Sequence, residues 1–367
     1  MDGIFQGVTV LSLAEQFPGP YATLLMADLG ADVILVERPG SGDPARAFPA
    51  FFRSLARNKR SICIDLKSED GRAAFLDLVA GADVVLEGYR PGTMERLGLG
   101  YETLKARNPR LIHASITGFG QDGPARLRPA HDLSYQGMAG MLTLEPGKPP
   151  VAPPIAYGDL SSGTFTAFAV AAALFGRERT GRGTAIDVSM TDGLVSWMTP
   201  YLVPRMSGDP AFEIFDEPAY GIFDCADGKS ITLSIAHEDN FWAALCDALD
   251  IPEHSSVKAE ERRRRSEELR GTISAILGSK DRSHWAALFD AKGIAWSPLH
   301  DLDGVASEAQ FIERGLFQDI ATPDGRTERH VVQPIRFSSY GSSIRRHAPV
   351  LGEHTDEVME ERRAKPL

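Results

Sequence analysis

The chain has 367 residues, of which 43% are apolar and 24% charged, and because this length exceeds the usual size of one hydrophobic core we expect two domains. The formal net charge of -11 argues against general binding to nucleic acid or to an anionic membrane, because both require a basic face. The cysteines Cys63, Cys225 and Cys246 lie far apart and outside any CxxC spacing, which favours buried thiols in a reducing cytoplasm over a disulfide scaffold or a zinc site.

The chain shows no export or membrane signal. Residues 1–6 lack the basic and apolar regions of a signal peptide. The longest apolar stretch, at 164–175, is shorter than the roughly 20 residues that cross a bilayer. We therefore expect a soluble, cytoplasmic protein with neither a membrane nor a nucleic-acid partner.

The first half of the chain alternates short β-branched runs with helical patterns, which predicts an α/β domain with a parallel sheet covered by helices. The predicted strands lie at 8–13, 33–36, 61–64, 84–86, 111–117 and 185–189, and the predicted helices at 21–29, 71–79 and 160–175, with a further helix running through 198. The helix at 160–175 is apolar nearly all round, so we expect it to be buried.

Prolines and a loss of periodicity after residue 200 predict a domain boundary. We place a large domain at 1–200, completed by 330–367, a linker at 201–217, and a smaller α+β domain with its return linker at 218–329. In the smaller domain Asp227-Gly228 predicts a hairpin turn, and the arginines at 262–265, flanked by glutamates, predict a solvated helix face. An apolar run at 331–337 is a candidate strand returning to the first sheet.

Two apparent cofactor signals fail in their context. Gly118, Gly120 and Gly123 spell the GxGxxG dinucleotide fingerprint, but a loop containing Arg126 and Arg128 follows where that motif needs a helix, so we expect no NAD. No HExxH or GxSxG motif occurs, and the histidines show no ligand spacing. We therefore expect neither a metal site nor a serine nucleophile.

Several separate short motifs follow one another along the chain, at 18–22, 36–43, 57–62, 87–92, 115–120, 130–135, 157–159 and 186–193. In this order they resemble the family III CoA-transferases (CaiB/BaiF type), which include formyl-CoA transferases, carnitine CoA-transferases and α-methylacyl-CoA racemases. The resemblance implies a Rossmann-like large domain, a smaller α+β domain and an interlocked homodimer. It also implies that each active site is shared between the large domain of one subunit and the small domain of the other.

The resemblance further implies contacts with CoA, which enters as part of an acyl-CoA substrate and not as a permanently bound cofactor. Arg38 and Arg90 each follow a predicted strand in a glycine- or proline-containing turn, where a guanidinium can bind a phosphoryl group. Tyr89 belongs to the same motif as Arg90. Arg57, Lys59 and Arg60 form a further basic cluster, and we expect Lys59 and Arg60, like Arg38, Tyr89 and Arg90, to contact CoA.

Three residues carry the chemistry in this interpretation. The aspartate matching Asp159 attacks the thioester in the transferases and moves a proton in the racemases, although a helix N-cap would also explain an aspartate there. His131 stands where transferases tend to carry an aromatic residue and racemases carry histidine, a natural acid or base near neutral pH. Glu238 matches a carboxylate of the small domain that hydrogen-bonds the aspartate, and it is also a first-turn acid of its own helix.

These residues favour racemase-like 1,1-proton transfer at the carbon next to the thioester, with His131 and Asp159 exchanging the proton. The alternative is CoA transfer between carboxylic acids through an aspartyl-CoA thioester on Asp159. A third hypothesis is an acyl-CoA-binding protein without catalytic activity.

Overall fold

The computed structural model describes residues 3–143, 149–209, 216–322 and 324–364, and the chain divides into two compact units. The first unit comprises Met1–Thr199 and Glu313–Leu367, and the second comprises Pro200–Ile312. The sequence placed the end of the smaller domain at 329, so the two divisions differ in where the chain returns to the first unit.

A six-stranded parallel sheet forms the centre of the first unit. Its strands are β1 (Thr9–Ser12), β2 (Asp32–Glu37), β3 (Lys59–Cys63), β4 (Val84–Glu87), β5 (Ile112–Thr117) and β6 (Thr184–Ser189). The predicted α/β class with a parallel sheet is confirmed. The strand order is β3-β2-β1-β4-β5-β6, which reverses direction between β1 and β4. In open parallel sheets ligands bind outside the carboxyl ends of the strands at such a reversal.

Both faces of this sheet are buried under apolar side chains. Neighbouring residues of a strand point to opposite faces, so each strand contributes to two apolar clusters. Val10 and Val33 belong to the apolar cluster on one face, whereas Leu11 and Ile34 belong to the cluster on the other. The helices that cover the faces in the first part of the chain are α1 (Pro18–Asp28), α2 (Pro49–Ala56), α3 (Glu69–Val79), α4 (Thr93–Arg96), α5 (Tyr101–Arg107), α6 (Asp132–Met138), α7 (Tyr157–Thr180) and α8 (Met190–Trp197).

The long helix α7 departs from its predicted burial. It packs closely on α1, where a side chain at Gly163 would come within 2.8 Å of the Pro18 carbonyl oxygen. Its opposite face is open in the single chain, since Phe168 is 72% exposed and Phe175 68%. In the described part of the chain, α7 alone is long and apolar enough to cross a membrane, a test that core helices of soluble proteins also pass. The helix is longer than the apolar run at 164–175 because polar residues continue its pattern at both ends.

The second unit is an α+β arrangement. Its elements are α9 (Thr199–Ser207), β7 (Tyr220–Asp224), β8 (Ser230–Ser234), α10 (Asp239–Ala248), α11 (Ala259–Arg264), α12 (Ser266–Leu277), α13 (Arg282–Lys292), β9 (Trp296–Pro298), α14 (Leu302–Ser307) and α15 (Ala309–Glu313). The predicted hairpin is present, with β7 and β8 antiparallel and a φ of +71° at Gly228. Part of the predicted linker is helical instead. Pro200 lies in the first turn of α9, where a missing N–H costs nothing, and the helix also contains Pro204 in its interior.

The arginines at 262–265 do not all lie on a solvated face. Arg262 is fully buried, and its guanidinium pairs with Asp239 at 2.7 Å and donates to the carbonyl of Ala236 at 3.0 Å. The ring of Trp242 lies 5.3 Å from the same guanidinium. The prediction was wrong for Arg262 because helical charge spacing does not reveal carboxylates that arrive from other elements.

The chain returns to the first unit through β10 (Phe317–Ala321), β11 (Thr327–Val331) and α16 (Thr355–Ala364). β10 and β11 pair with each other in a separate two-stranded sheet. The predicted strand at 331–337 therefore does not join the first sheet. Pro334, which lacks an N–H for a ladder, lies just after β11 ends.

Candidate active site

A cavity of about 450 Å³ opens at the carboxyl ends of β1, β4 and β5. It therefore lies at the reversal in strand order. Its walls come from the loops that leave these strands and from the first turns of α1, α6 and α7. The lining residues are 14–19, 88–91, 116–119, Arg126, Arg128, Pro129, Ala130, His131, Tyr135, Asp159 and Met190.

Asp159 lies in the first turn of α7 as its third residue, half-buried against the cavity. It is not the N-cap, which is Ala156, so the capping role considered from the sequence does not explain it. Burial, together with the nearby charge of Asp132, raises the pKa of Asp159 to about 7. The carboxylate is therefore near half-ionised at neutral pH, where it can act as a nucleophile or exchange a proton.

Asp132, which the sequence analysis did not single out, caps the N-terminus of α7. It is the first residue of the neighbouring helix α6. Its Oδ1 accepts the backbone N–H of Gly158 at 2.7 Å and that of Asp159 at 3.3 Å. A side chain at position 158 would come within 2.9 Å of this oxygen, so glycine permits the close approach. The adjacent His131-Asp132 pair in the motif at 130–135 was the available signal.

His131 is the N-cap residue of α6 and lines the same cavity as Asp159. Its side chain is exposed, and within the described ranges the ring makes no hydrogen bond. Glu238 lies in the second unit at the N-cap of α10. Hydrogen bonds from its own backbone N–H and from that of Ala236 hold the pKa of Glu238 below its usual range. The predicted hydrogen bond between Glu238 and Asp159 stays a prediction.

Two of the predicted CoA contacts line the cavity. Arg90 is exposed there, immediately after Tyr89, whose pKa burial raises to about 12. The Tyr89 N–H donates to Glu87 at 2.7 Å, and burial raises the pKa of the Glu87 carboxyl to about 7. Arg38 stands beside the cavity and pairs with Glu15, one of the lining residues, at 3.2 Å.

Lys59 and Arg60 lie elsewhere, at the amino end of β3. The Lys59 ammonium is buried and donates to the Pro20 carbonyl and the Thr23 hydroxyl, both at 2.8 Å. The Arg60 guanidinium is shared among three carboxylates, those of Asp32, Glu357 and Glu361. The structure does not bring these two predicted CoA contacts into the cavity, because strand polarity places them at the opposite edge of the sheet.

Two cations of the cavity were missed as ligand candidates. Arg126 and Arg128 follow β5 in the loop that had served only to reject the dinucleotide fingerprint. The Arg128 guanidinium lies 5.8 Å from the ring centroid of Phe119. Their position after a strand, between glycines and prolines, is the same signal that had selected Arg38 and Arg90.

The cavity thus combines a perturbed carboxylate, an exposed imidazole and several guanidinium groups. This set can bind an anionic thioester substrate and attack or deprotonate it at Asp159. Among the residues the structure describes, no cluster of three or more histidines, cysteines or carboxylates could hold a metal ion.

Comparisons with known sequences and solved structures match nearly the whole chain to the same family. The sequence model of CoA-transferase family III matches residues 5–355. The succinyl-CoA:glutarate CoA-transferase of Mus musculus is 32% identical over 380 residues, 97% of this chain and 86% of the relative. The acetyl-CoA:oxalate CoA-transferase of Acetobacter aceti is 36% identical over 338 residues, 86% of this chain and 85% of the relative. A solved CaiB/BaiF family protein from Brucella suis is 31% identical with a TM-score of 0.87, covering 99% of this chain and 100% of its own.

Proposed function

This chain belongs to CoA-transferase family III, and from that membership we propose that it moves CoA between two carboxylic acids with Asp159 as the nucleophile. The family resemblance inferred from the motifs is confirmed. One observation carries the proposal: a half-buried carboxylate, with its pKa raised to about 7, lines the same cavity as Arg90 and two further arginines.

The sequence alone favoured proton transfer, whereas the comparisons support CoA transfer. Both curated relatives described above are named CoA-transferases, one for glutarate and one for oxalate, and neither is named a racemase. We therefore assign His131 a different role. In the proposed reaction His131 binds the acyl group or the thioester oxygen instead of exchanging the α-proton.

The covalent steps follow from a carboxylate nucleophile. Ionised Asp159 attacks the donor thioester carbonyl, and the carbon–sulfur bond breaks to release CoA thiolate and leave an acyl-aspartyl anhydride. The thiolate attacks the Asp159 carbonyl, which releases the donor acid and leaves an aspartyl-CoA thioester. The acceptor carboxylate attacks that thioester, and the released thiolate takes the acceptor acyl group, which regenerates ionised Asp159.

The surroundings of Asp159 suit this cycle. The charge of Asp132 and the burial that raise its pKa make the ionised carboxylate a stronger nucleophile, because nucleophilicity rises with basicity. The first turn of α7 stabilises the negative charge at the same time. Arg90 is exposed in the cavity and free to bind a phosphoryl group of CoA.

We also expect a homodimer whose active site takes Glu238 from the second subunit. The open apolar side chains on α7 and α8 support this expectation, since Trp197 is 44% exposed in addition to Phe168 and Phe175. Large exposed aromatic side chains on two helices that pack together are typical of an interaction face. Sedimentation of the purified protein as a monomer at micromolar concentration would contradict it.

Isotope tracing tests the proposed reaction. Wild-type protein is incubated with succinyl-CoA and doubly oxygen-18-labelled glutarate, and the Asp159 peptide is analysed by mass spectrometry. Transfer through an aspartyl-CoA thioester places one labelled oxygen in the Asp159 carboxyl, because the bridging oxygen of the anhydride stays with the enzyme. The Asp159→Asn variant should give neither transfer nor label.

The same experiment in deuterated water, with a 2-methylacyl-CoA and no acceptor acid, tests the competing hypothesis. Deuterium at the α-carbon without CoA transfer would overturn the proposal and restore the proton-transfer interpretation. The His131→Phe variant sharpens the distinction. It should lower kcat/KM for transfer without abolishing it, since the proposed reaction uses His131 for binding and requires no base at that position, whereas α-proton exchange would be lost.

A further inference from the structure

Gln136 is a buried amide on the helix that carries Asp132. The two residues lie four positions apart on α6, so their side chains share one face of the helix. Gln136 is only 1% exposed, and it is not one of the residues that line the cavity. Burying a polar side chain this deeply is costly unless its hydrogen bonds are made. The partners of the amide group therefore indicate its role.

The amide nitrogen of Gln136 connects the two elements that meet at Asp159. It donates to Oδ2 of Asp132 and to the backbone carbonyl of Ile155, the latter at 3.2 Å. Both partners are acceptors, so the NH2 group and not the amide oxygen faces them. The amide oxygen is buried without a partner among the described residues. The two hydrogen bonds of the nitrogen therefore fix the side chain between Asp132 and the segment that leads into α7.

Gln136 completes a set of three donors around Asp132. Oδ1 of Asp132 accepts the N–H groups of Gly158 and Asp159, and Oδ2 accepts the amide of Gln136. Each of these hydrogen bonds uses Asp132 as an acceptor, which is the role of an ionised carboxylate. Without the amide, Oδ2 loses the one donor that the described chain gives it. The carboxylate can then turn away from α7 or take up a proton.

The charge that Gln136 holds in place acts on Asp159. Burial first, and then the charge of Asp132, raises the pKa of Asp159 to about 7. Tyr21 on α1 and Tyr135 on α6 pack against α7. Burial raises the pKa of both phenols above its ordinary value near 10, so both stay neutral near pH 7. Asp132 is therefore the charged neighbour that matters for Asp159.

We propose that Gln136 is a positioning residue of the reaction, whose amide holds Asp132 against the start of α7 so that its charge stays next to the Asp159 carboxylate. Gln136 acts through Asp132 and touches no substrate. The inference rests on the proposed CoA transfer for its effect on rate, because that reaction uses Asp159 as the nucleophile.

The first test measures the ionisation of Asp159 without turnover. Protein labelled with carbon-13 at the aspartate carboxyl carbons is titrated by NMR, and the signal that is missing from Asp159→Asn identifies Asp159. His131 can also change its charge near neutral pH, so the carboxyl carbon is a more direct probe than a rate. In Gln136→Met the Asp159 midpoint should move to lower pH by about 0.5 to 1 unit, because the charge of Asp132 is no longer held beside it.

Methionine is a suitable replacement because it is unbranched and close to glutamine in length. It removes both donors, while the Ile155 carbonyl keeps the N–H of Tyr157 at 3.0 Å. Gln136→Asn is the second variant, and its shorter side chain cannot span both acceptors. It should move the Asp159 midpoint in the same direction, which keeps the test available if the methionine variant does not fold.

A double variant tests the route through Asp132. In an Asp132→Asn background, Gln136→Met should add no further shift of the Asp159 midpoint, because two changes on one route are not additive. In the wild-type background, Gln136→Met should lower kcat for succinyl-CoA with glutarate about tenfold through the loss of orientation. KM should stay within about twofold, because no substrate contact is lost.

Gln333 provides the matched control, since it is a second buried glutamine whose amide donates to a backbone carbonyl, that of Leu25 at 3.2 Å. Gln333→Met should lower Tm by a few degrees, as Gln136→Met does, and leave both the Asp159 midpoint and kcat unchanged. An unmoved midpoint in folded Gln136→Met would overturn the inference and leave Gln136 as a purely structural residue. An equal shift in the Asp132→Asn background would also overturn it, because Gln136 would then act on Asp159 by another route.

The proposed function and this inference fail in different ways. A lowered Asp159 midpoint in Gln136→Met, with no transfer to any acid and an unlabelled Asp159 in the isotope experiment, would overturn CoA transfer and leave the positioning role intact. Normal transfer by the wild type, with an unmoved midpoint in the variant, would overturn the positioning role alone.

Discussion

The two edges of the parallel sheet both carry arginines, but they use them differently. At the carboxyl edge Arg90 is exposed in the cavity after β4. At the amino edge Arg57, just before β3, and Arg60, in β3, are buried in ion pairs. The residue type is the same, and the polarity of the strand decides whether the cation is available to a ligand.

The amino-edge cations hold the returning chain, residues 313–367, onto the rest of the first unit. Arg57 pairs with Asp28 at 2.6 Å and donates to the carbonyl of Val331 at 2.6 Å. Next to it Asn58, with a φ of +61°, accepts the backbone N–H groups of Arg345 and Arg346 through its side chain. The basic run at 57–60 is thus a structural anchor.

The largest effect should come from breaking this anchor. Arg57→Ala removes the charged partner of buried Asp28, which keeps the Asn58 amide as a hydrogen-bond donor, and breaking a buried ion pair in this way typically costs about 3–5 kcal/mol. We expect the free energy of unfolding, measured by urea titration with circular dichroism, to fall by about that amount. Arg329→Ala, which breaks an exposed pair with Asp319, should cost less than about 1 kcal/mol. Equal losses in the two variants would mean that the amino-edge network does not stabilise the fold.

At the carboxyl edge the same kind of substitution should affect binding and leave stability unchanged. Arg90→Gln removes a cation facing the cavity, and the lost charge-assisted hydrogen bond should raise KM for the acyl-CoA about tenfold. The free energy of unfolding should change by less than about 0.5 kcal/mol. Arg60→Gln is the matched control and should show the reverse, lower stability with an unchanged KM. A raised KM in Arg60→Gln would remove the contrast between the two edges.

The sequence predicted the carboxyl edge better than the amino edge, for a physical reason. Strands of the first sheet were placed within two residues of their observed bounds, because apolar runs between turn residues are a local signal. Arg38 and Arg90 could be selected because the end of a strand is also local information. The partners of Arg57, Arg60 and Arg262 come from segments far along the chain, and no local pattern contains them.

The same limit explains Asp132. Its side chain accepts the N–H groups of Gly158 and Asp159, which lie 26 and 27 residues further along the chain in another helix. The sequence identified Asp159 through its motif, whereas the neighbour that helps to raise its pKa became visible only in the fold. The open face of α7 was missed for a related reason, since an apolar pattern shows that a surface avoids water and does not show what covers it.

The pH dependence of kcat/KM tests whether the ionisation of Asp159 controls the reaction at the carboxyl edge. The nucleophile must be ionised, so kcat/KM should fall as pH decreases through about 7, the pKa of Asp159. Burial is the main cause of the raised pKa and the charge of Asp132 is the second. Asp132→Asn keeps an oxygen acceptor for the α7 N–H groups but removes that charge, so the midpoint should move to lower pH. At about pH 6 the variant should retain severalfold more of its maximal rate than the wild type.

Glu87 provides the control for that profile, because burial raises its pKa to about 7 as well. Glu87→Gln preserves the acceptor for the Tyr89 N–H and should leave the midpoint of kcat/KM in place. If Glu87→Gln moved the midpoint and Asp132→Asn did not, the titrating group would be Glu87, and the assignment of the nucleophile to the acid limb would be wrong.

The smallest effect concerns Lys59, the amino-edge cation whose pKa burial lowers to about 7. Between pH 7 and the ordinary lysine value near 10.4 the unfolded chain binds more protons at this group than the folded chain, so its contribution to stability rises with pH. Lys59→Met removes this pH-dependent contribution to stability. The difference in free energy of unfolding between wild type and variant should therefore shift in favour of the wild type, on the order of 1 kcal/mol, from about pH 7 to about pH 9. KM for the acyl-CoA should be unchanged throughout. A pH-independent difference together with a raised KM would place Lys59 at a CoA-binding surface after all and dissolve the distinction between the two edges.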